Sequence, residues 1–315
     1  MNYRHLGRAG VKISEIALGS WLTYGAVVEE KTAIACHERA YDLGINLFDT
    51  ANVYARGRAE TVVGKALKQY PRDSYVLATK AFWPMGEGPN DRGLSRKHVF
   101  EQLHASLKRL GTDYVDIFWC HRYDPETPLE ETLRTLDDFV TQGKVLYLGV
   151  SMWTAAQIVE ALRTQERLNL DRLVADQPEY SMLDRTIEPE IMPMCEREGL
   201  GITPFSPLAQ GVLTGKYKPG QKPPKGTRAA DPSSNMFMGD LLSAENLAKV
   251  EKLKPIAKRH GLTLAQLALA WCLRKPVVSS VIIGASRPEQ IDENVKAGGV
   301  ALPPEDLERI EKILA

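Results

Sequence analysis

Four side chains at the ends of apolar runs have the types needed to put a proton on a carbonyl oxygen: Asp49, Tyr54, Lys80 and His121. Asp49 stands where the run Asn46-Leu-Phe gives way to polar residues, and Tyr54 follows in the loop beyond. Lys80 closes Val76-Leu-Ala-Thr, and His121 follows Val115-Asp-Ile-Phe-Trp-Cys120. A lysine at the end of a buried strand needs a carboxylate, because an isolated ammonium out of water is costly, and Asp49 is its natural partner. Free tyrosine, with a pKa of about 10, is a poor acid at neutral pH, and a nearby ammonium favours the phenolate and makes the phenol a stronger one. Lys80 would supply that charge. His121 would hydrogen-bond the carbonyl oxygen and fix its direction. Trp21, Tyr24 and Trp83, with Tyr123 near them, would form an aromatic substrate pocket around Tyr54 and His121.

Proton donation of this kind also needs a hydride donor, and the stretch Val281-Ile-Ile-Gly-Ala-Ser-Arg-Pro288 offers it a place. A strand ends, Gly284-Ala285-Ser286 turns, and Pro288 starts a helix whose free amides face the loop, an arrangement suited to phosphate. Arg287 adds a charge suited to a 2′-phosphate and points to NADP rather than NAD.

For four residues from separate segments to meet, those segments must end on one face. Strand-like runs alternate with helical patterns along most of the chain: Ile16–Gly19 then 30–43, 46–49 then 58–69, 75–80 then 95–110, Val115–Cys120 then 129–142. The rhythm continues with Val145–Val150 then 154–167, 173–177 then 189–198, then strands 201–205 and 280–284 and a helix over 288–297. Eight strand–helix units over this length predict one α/β domain spanning 1–315, a (β/α)8 TIM barrel, with a doubly wound open sheet as the alternative. Tyr3–Leu6 and Val11–Ile13 around Gly7-Arg-Ala-Gly10 predict an N-terminal β-hairpin acting as a plug or lid. Gly44, Gly111, Gly143 and Gly199 each end a helical pattern, and Ser95 and Thr154 are placed to start one. The stretch 217–240, rich in Pro, Gly, Lys and Arg, breaks the rhythm and reads as a cofactor lid or a disordered insertion. Further helices are expected over 244–260, 263–274 and 304–314.

The whole-chain composition narrows the classes. Forty basic and forty acidic residues among 315 cancel, so no global field favours nucleic acid or an anionic membrane. No signal-peptide core or long apolar run occurs, and four cysteines without paired spacing suit a reducing cytoplasm. Metal binding is not expected: His98 and His104, six apart, fall on different helix faces. Ser206 has no nucleophile elbow around it, and Gly211-Val-Leu-Thr-Gly-Lys216 is one residue short of a phosphate-binding loop and runs into Tyr217.

With these residues in hand the sequence resembles the aldo-keto reductases over nearly its full length, and within them the group containing the β subunits of voltage-gated potassium channels and their bacterial relatives. The stretches that carry the resemblance are Gly44-Ile-Asn-Leu-Phe-Asp-Thr-Ala-Asn-Val-Tyr54, Gly93-Leu-Ser-Arg-Lys-His98, Thr127-Pro-Leu-Glu-Glu-Thr132, Phe205-Ser-Pro-Leu208 and Gly284-Ala-Ser-Arg-Pro-Glu-Gln290. The resemblance implies NADP(H) lying across the strand ends and reduction of aldehydes or ketones, with Tyr54 as proton donor. It assigns Ser20, Trp21 and Asp49 to the cofactor, Ser151 and Gln177 to the nicotinamide carboxamide, and Phe205 to the face of the ring. Ser206, Leu208 and Lys216 would line the pyrophosphate with Arg228 on the lid, and Ser286, Arg287, Gln290, Glu293 and Asn294 would surround the adenosine end. Channel subunits typically carry Asn where this chain has His121, the usual residue of active reductases, which argues for catalysis. Met152 stands where channel-type relatives have Arg, a departure from the pattern at a position where the resemblance implies a phosphate contact.

The expected partner is a small carbonyl substrate, with homo-oligomers possible. The rival readings are an NADPH-binding, redox-sensing subunit of a larger complex, and a cofactor-independent barrel isomerase or aldolase.

Overall fold

The structure is a computed structural model and describes residues 1–25, 27–231 and 235–315; part of the expected insertion, residues 232–234, lies outside them. Its framework is eight parallel strands: β3 (Ile16–Gly19), β4 (Leu47–Asp49), β5 (Val76–Ala81), β6 (Val115–Cys120), β7 (Val145–Val150), β8 (Leu173–Asp176), β9 (Gly201–Ile202) and β10 (Val281–Ile283). From β3 to β9 each pairs with the next in sequence, and β10 returns to pair with β3. The open sheet is excluded by the bonds that close the ring between β9 and the run into β10. There the Ser279 amide donates to the Ile202 carbonyl at 2.8 Å, and the Ile282 amide donates to the Pro204 carbonyl at 3.0 Å. The chain therefore forms a (β/α)8 barrel.

The strands are apolar on both faces because both faces are covered. In β6, Ile117 and Trp119 point into the barrel with Val76 and Ala78 of β5, while Phe118 and Cys120 point out to the helices. The outer layer is α1 (Glu30–Asp42), α2 (Arg58–Leu67), α3 (Arg96–Leu110), α4 (Leu129–Thr141), α5 (Ala155–Leu168), α6 (Ile191–Glu198), α8 (Leu264–Leu273) and α9 (Pro288–Asn294), with α7 (Ala244–Arg259) and α10 (Pro304–Leu314) outside it. Gly44, Gly111, Gly143 and Gly199 take the left-handed backbone, with φ from +66° to +83°. Thr154 forms a full capping box with Gln157, and the Ser95 hydroxyl accepts from the His98 amide. No described helix is long and apolar enough to cross a membrane, and all four cysteines are buried and unpaired.

The hairpin β1 (Tyr3–His5) and β2 (Lys12–Ser14) plugs the amino end of the barrel. Leu6 and Ile13 complete the inner core, and Gly7 lies so close to Gly199–Gly201 that no side chain would fit there. That leaves the carboxyl end open. Two elements are shorter than their sequence suggests. Strand β9 stops at Ile202 rather than Phe205, since Pro204 has no amide proton to continue a ladder. The last barrel helix is α-helical only to Asn294 and finishes as a 3-10 turn over Val295–Ala297.

Candidate active site

The carboxyl ends of the strands are tied together by a belt of backbone bonds. The Ser20 amide donates to Asp49 O (3.0 Å), Thr50 to Ala78 O (3.0 Å), His121 to Ala81 O (3.1 Å), Ser151 to Cys120 O (2.9 Å) and Gln177 to Val150 O (2.8 Å). The Asn52 amide donates to Lys80 O at 3.1 Å, so the chain leaving β4 stays beside β5 until it reaches Tyr54. Tyr54 then opens a 3-10 turn in which Ala55 and Arg56 take positive φ. Strained backbone of this kind concentrates at functional sites.

Within the belt the expected four side chains meet. The fully buried Lys80 ammonium pairs with Asp49 Oδ2, donates to Thr50 O at 2.9 Å and lies 3.3 Å from Tyr54 Oη. Asp49 Oδ1 accepts from Gln177 Nε2 at 3.0 Å, which ties β8 to the same centre. The rings of Tyr54 and His121 are 5.7 Å apart and nearly perpendicular. Burial alone would depress Lys80, but the Asp49 carboxylate and the Tyr54 oxygen hold its pKa above the usual value. Burial, with the Lys80 and Arg122 charges, drives His121 well below the ordinary histidine range, so it is neutral at pH 7. The phenol corrects an expectation: burial raises the Tyr54 pKa, and the opposing pull of Lys80 does not overcome it. Tyr54 thus holds its proton firmly at neutral pH.

The remaining expected residues divide by place. Ser151 Oγ donates to the Gln177 carbonyl at 2.7 Å, and Ser20 Oγ to Thr50 Oγ1 at 2.8 Å, so both belong to the belt. Trp21 presents its edge to Phe205 (6.0 Å) and to Phe237 (5.1 Å), and exposed Trp83 stands 6.3 Å from the His121 ring. Tyr24 is not among these rings. It is 1% exposed, packed on His37 at 4.9 Å between the barrel and α1, and its assignment to the substrate pocket is corrected to the core. Tyr123 packs on Trp153 at 4.9 Å.

The loop after β9 runs through Leu208 and carries Ser206, Ala209, Gln210 and Gly211 in positive-φ conformations. Gln210 Nε2 donates to Ser206 Oγ at 2.7 Å while its Oε1 accepts from Arg228, which joins the loop to the start of the insertion. Desolvation, then the Arg228 and Arg287 charges, lower the Lys216 pKa, so three cations crowd one edge of the loop. After β10 the Ser286 amide donates to Gln290 Oε1 at 2.7 Å, and exposed Arg287 faces Glu289 at 3.7 Å. Asn294 is buried, while Glu293 is exposed and its carbonyl accepts from Gln266 at 2.8 Å.

Residues 15–315 match the Aldo/keto reductase family. The chain belongs to that family. It is 46% identical over 319 residues to a protein of Oryza sativa subsp. japonica named "Probable voltage-gated potassium channel subunit beta", covering 100% of this chain and 97% of that one. A protein of the same name from Arabidopsis thaliana matches at 46% identity with the same coverage. Membership makes this aldo/keto reductase an oxidoreductase of carbonyl groups.

Three members of the site escaped the sequence. Thr50 enters through its carbonyl and Gln210 through a strained loop, and neither leaves a mark in the pattern of residue types. Arg122 follows His121 directly, and that adjacency was the available signal.

Proposed function

We propose that this aldo/keto reductase uses NADPH to reduce aldehydes or ketones to alcohols, with Tyr54 as the proton donor. The observation that carries the reading is the buried chain from Asp49 through Lys80 to the Tyr54 hydroxyl, beside a neutral His121. A neutral imidazole can donate one hydrogen bond to the carbonyl oxygen without competing with the phenol to protonate it. As the proton leaves Tyr54, the Lys80 ammonium stabilises the developing phenolate, and Asp49 keeps that ammonium charged and aimed.

The residues fit the cofactor. The crowded charges of Lys216, Arg228 and Arg287 are relieved by a polyanion, and a Cβ at Gly211 would lie 2.9 Å from the Lys216 ammonium, so glycine leaves room for it. Ser206, Leu208 and Lys216 would hold the pyrophosphate, with Arg228 above them. Ser286, Arg287, Gln290, Glu293 and Asn294 would take the adenosine end. Ser20, Trp21, Ser151, Gln177 and Phe205 would hold the nicotinamide. When bound, the reduced nicotinamide supplies the hydride. Trp21, Trp83 and His121 would enclose the substrate, and the cytoplasm, with its reduced thiols, suits the four free cysteines.

The test is Tyr54→Phe, with NADPH oxidation followed on an aldehyde panel and NADPH binding by fluorescence. Loss of turnover with binding retained is expected; equal turnover in the two proteins sinks the role. A second reading, favoured by the names of the rice and Arabidopsis relatives, is that the NADPH-loaded barrel associates with another protein and signals its redox state. Tight NADPH binding without turnover, together with a stable heteromeric complex, selects that reading.

A further inference from the structure

Arg122 sits at the mouth of this site; its charge helps keep His121 neutral and has no further part in the proton transfer. Its Nη1 donates to the His121 carbonyl at 2.6 Å, which pins the guanidinium beside the site, and its cationic carbon lies 5.4 Å from the centre of the Trp83 ring. Trp83 is in turn the ring that faces His121. The charge of Arg122 is felt at the Tyr54 phenol, so the two groups share one space.

Half-buried arginines normally meet a carboxylate, because partial desolvation leaves their five donors to be satisfied. Elsewhere in this molecule they do: Arg4 meets Glu15, Arg72 meets Asp116, Arg109 meets Glu60 and Arg274 meets Glu188. Arg122 forms no ion pair among the described residues. The carboxylate that senses it is Glu179, across the mouth from β8, and the two do not touch. Among the described residues one carbonyl and one aromatic face are its partners, and no carboxylate is, beside the place where a substrate carbonyl would lie. A planar fork of donors suits a carboxylate or a phosphate, and cation–π contact with Trp83 keeps it oriented in the meantime.

From this placement we infer that the preferred substrates carry an anionic group, carboxylate or phosphate, a few atoms from the carbonyl, and that Arg122 binds it. The inference rests on the reductase reading and adds a substrate class to it. Arg122 acts here in specificity: it anchors the far end of the substrate so that the carbonyl falls between Tyr54 and His121.

The experiment compares kcat/KM for 4-carboxybenzaldehyde, glyceraldehyde 3-phosphate and uncharged 4-nitrobenzaldehyde in the wild type, Arg122→Met, Arg122→Lys and Glu179→Gln. Hydrogen bonds to charged groups are worth enough for a tenfold to hundredfold change, so the wild-type anionic-to-neutral ratio should fall by about tenfold or more in Arg122→Met. Arg122→Lys, keeping the charge but losing the fork, should lie between. Glu179→Gln should raise the ratio, and salt should shrink it in every protein that retains the cation. The two anionic substrates separate a carboxylate site from a phosphate site. An unchanged ratio in Arg122→Met overturns the inference while leaving the reductase reading intact, as does a ratio that ignores both Glu179→Gln and salt. Absence of turnover on all three substrates in the wild type overturns the reductase reading instead.

Discussion

The ammonium of Lys80 lies 3.3 Å from the Tyr54 hydroxyl and is shut off entirely from solvent. Both facts trace to the same geometry: β5 delivers Lys80 from within the sheet, and the chain beyond β4 folds back alongside it to bring Tyr54 over the top. An ammonium in that position is held by Asp49 and by the Thr50 carbonyl, and its third partner is the Tyr54 hydroxyl.

Replacing Lys80 with Met should therefore cost activity and stability through different partners. Activity should drop about 100-fold or more, since a positioned proton-transfer group contributes on that scale. Stability should fall by roughly 3–5 kcal/mol, because Asp49 is left buried with Gln177 but without a countercharge. In the double variant Asp49→Asn, Lys80→Met the stability should largely return while turnover stays low. Urea unfolding and steady-state kinetics on the four proteins of the cycle check both halves. Parallel recovery of stability and turnover would show that Lys80 only supports the fold.

Asp176 predicts a dependence of stability on pH. It is fully buried at the end of β8, and burial pushes its pKa up to about 8 against the smaller opposing pull of the Gln177 backbone amide. The folded protein keeps this proton at pH values where the unfolded chain has released it, so the group stabilises less and less as pH rises from about 4 to about 8. The cost at pH 7 is on the order of 4 kcal/mol. Asp176→Asn removes the ionisation, and its stability should decline less than the wild type's between pH 5 and pH 8. Equal slopes in urea unfolding at the two pH values would refute the assignment.

Gly149 and Trp119 face each other inside the barrel. A Cβ at position 149 would overlap the Trp119 ring, which in turn neighbours Lys80 across the β5–β6 ladder. Gly149→Ala should cost about 1–3 kcal/mol by overpacking and should also slow turnover, as Trp119 shifts toward the lysine. Adding Trp119→Leu should relieve the clash and restore part of the stability. Thermal unfolding of the two variants decides it.

The barrel was legible because parallel strands covered on both faces leave unbroken apolar runs, and glycines in the left-handed conformation punctuate the helices between them. That Asp49, Tyr54, Lys80 and His121 come together was legible for a related reason: a charged or ionisable residue that ends such a run, or follows it closely, needs partners at the same rim. Tyr24 was misread because a residue just beyond a strand can turn to the mouth or to the wall, and only the packing on His37 and Cys36 decides which. The demand of Trp119 for a glycine opposite it was invisible, since it depends on the register between β6 and β7. The sign of the Tyr54 shift was missed because a charge pair shows in residue types, whereas the larger effect of burial shows only in three dimensions.

Arg287 provides the measure of nucleotide choice. It is exposed after β10, its nearest counterion is Glu289 at 3.7 Å, and its charge reaches Lys216 across the loop. A 2′-phosphate would gain a charge-assisted contact there that a bare 2′-hydroxyl would not, worth about 1–2 kcal/mol at an exposed site and hence roughly tenfold in affinity. Arg287→Leu should accordingly lower the NADPH-to-NADH affinity ratio by about tenfold, with NADH binding little altered. Glu289→Gln should move the ratio the other way, because the competing carboxylate is gone. Titration of protein fluorescence with each nucleotide at two salt concentrations checks this, since salt weakens the pyrophosphate contacts of both nucleotides and the 2′-phosphate contact should add a further salt dependence to NADPH alone. A ratio untouched by Arg287→Leu would place the 2′-phosphate against another cation, with Lys216 and Arg228 the next to replace.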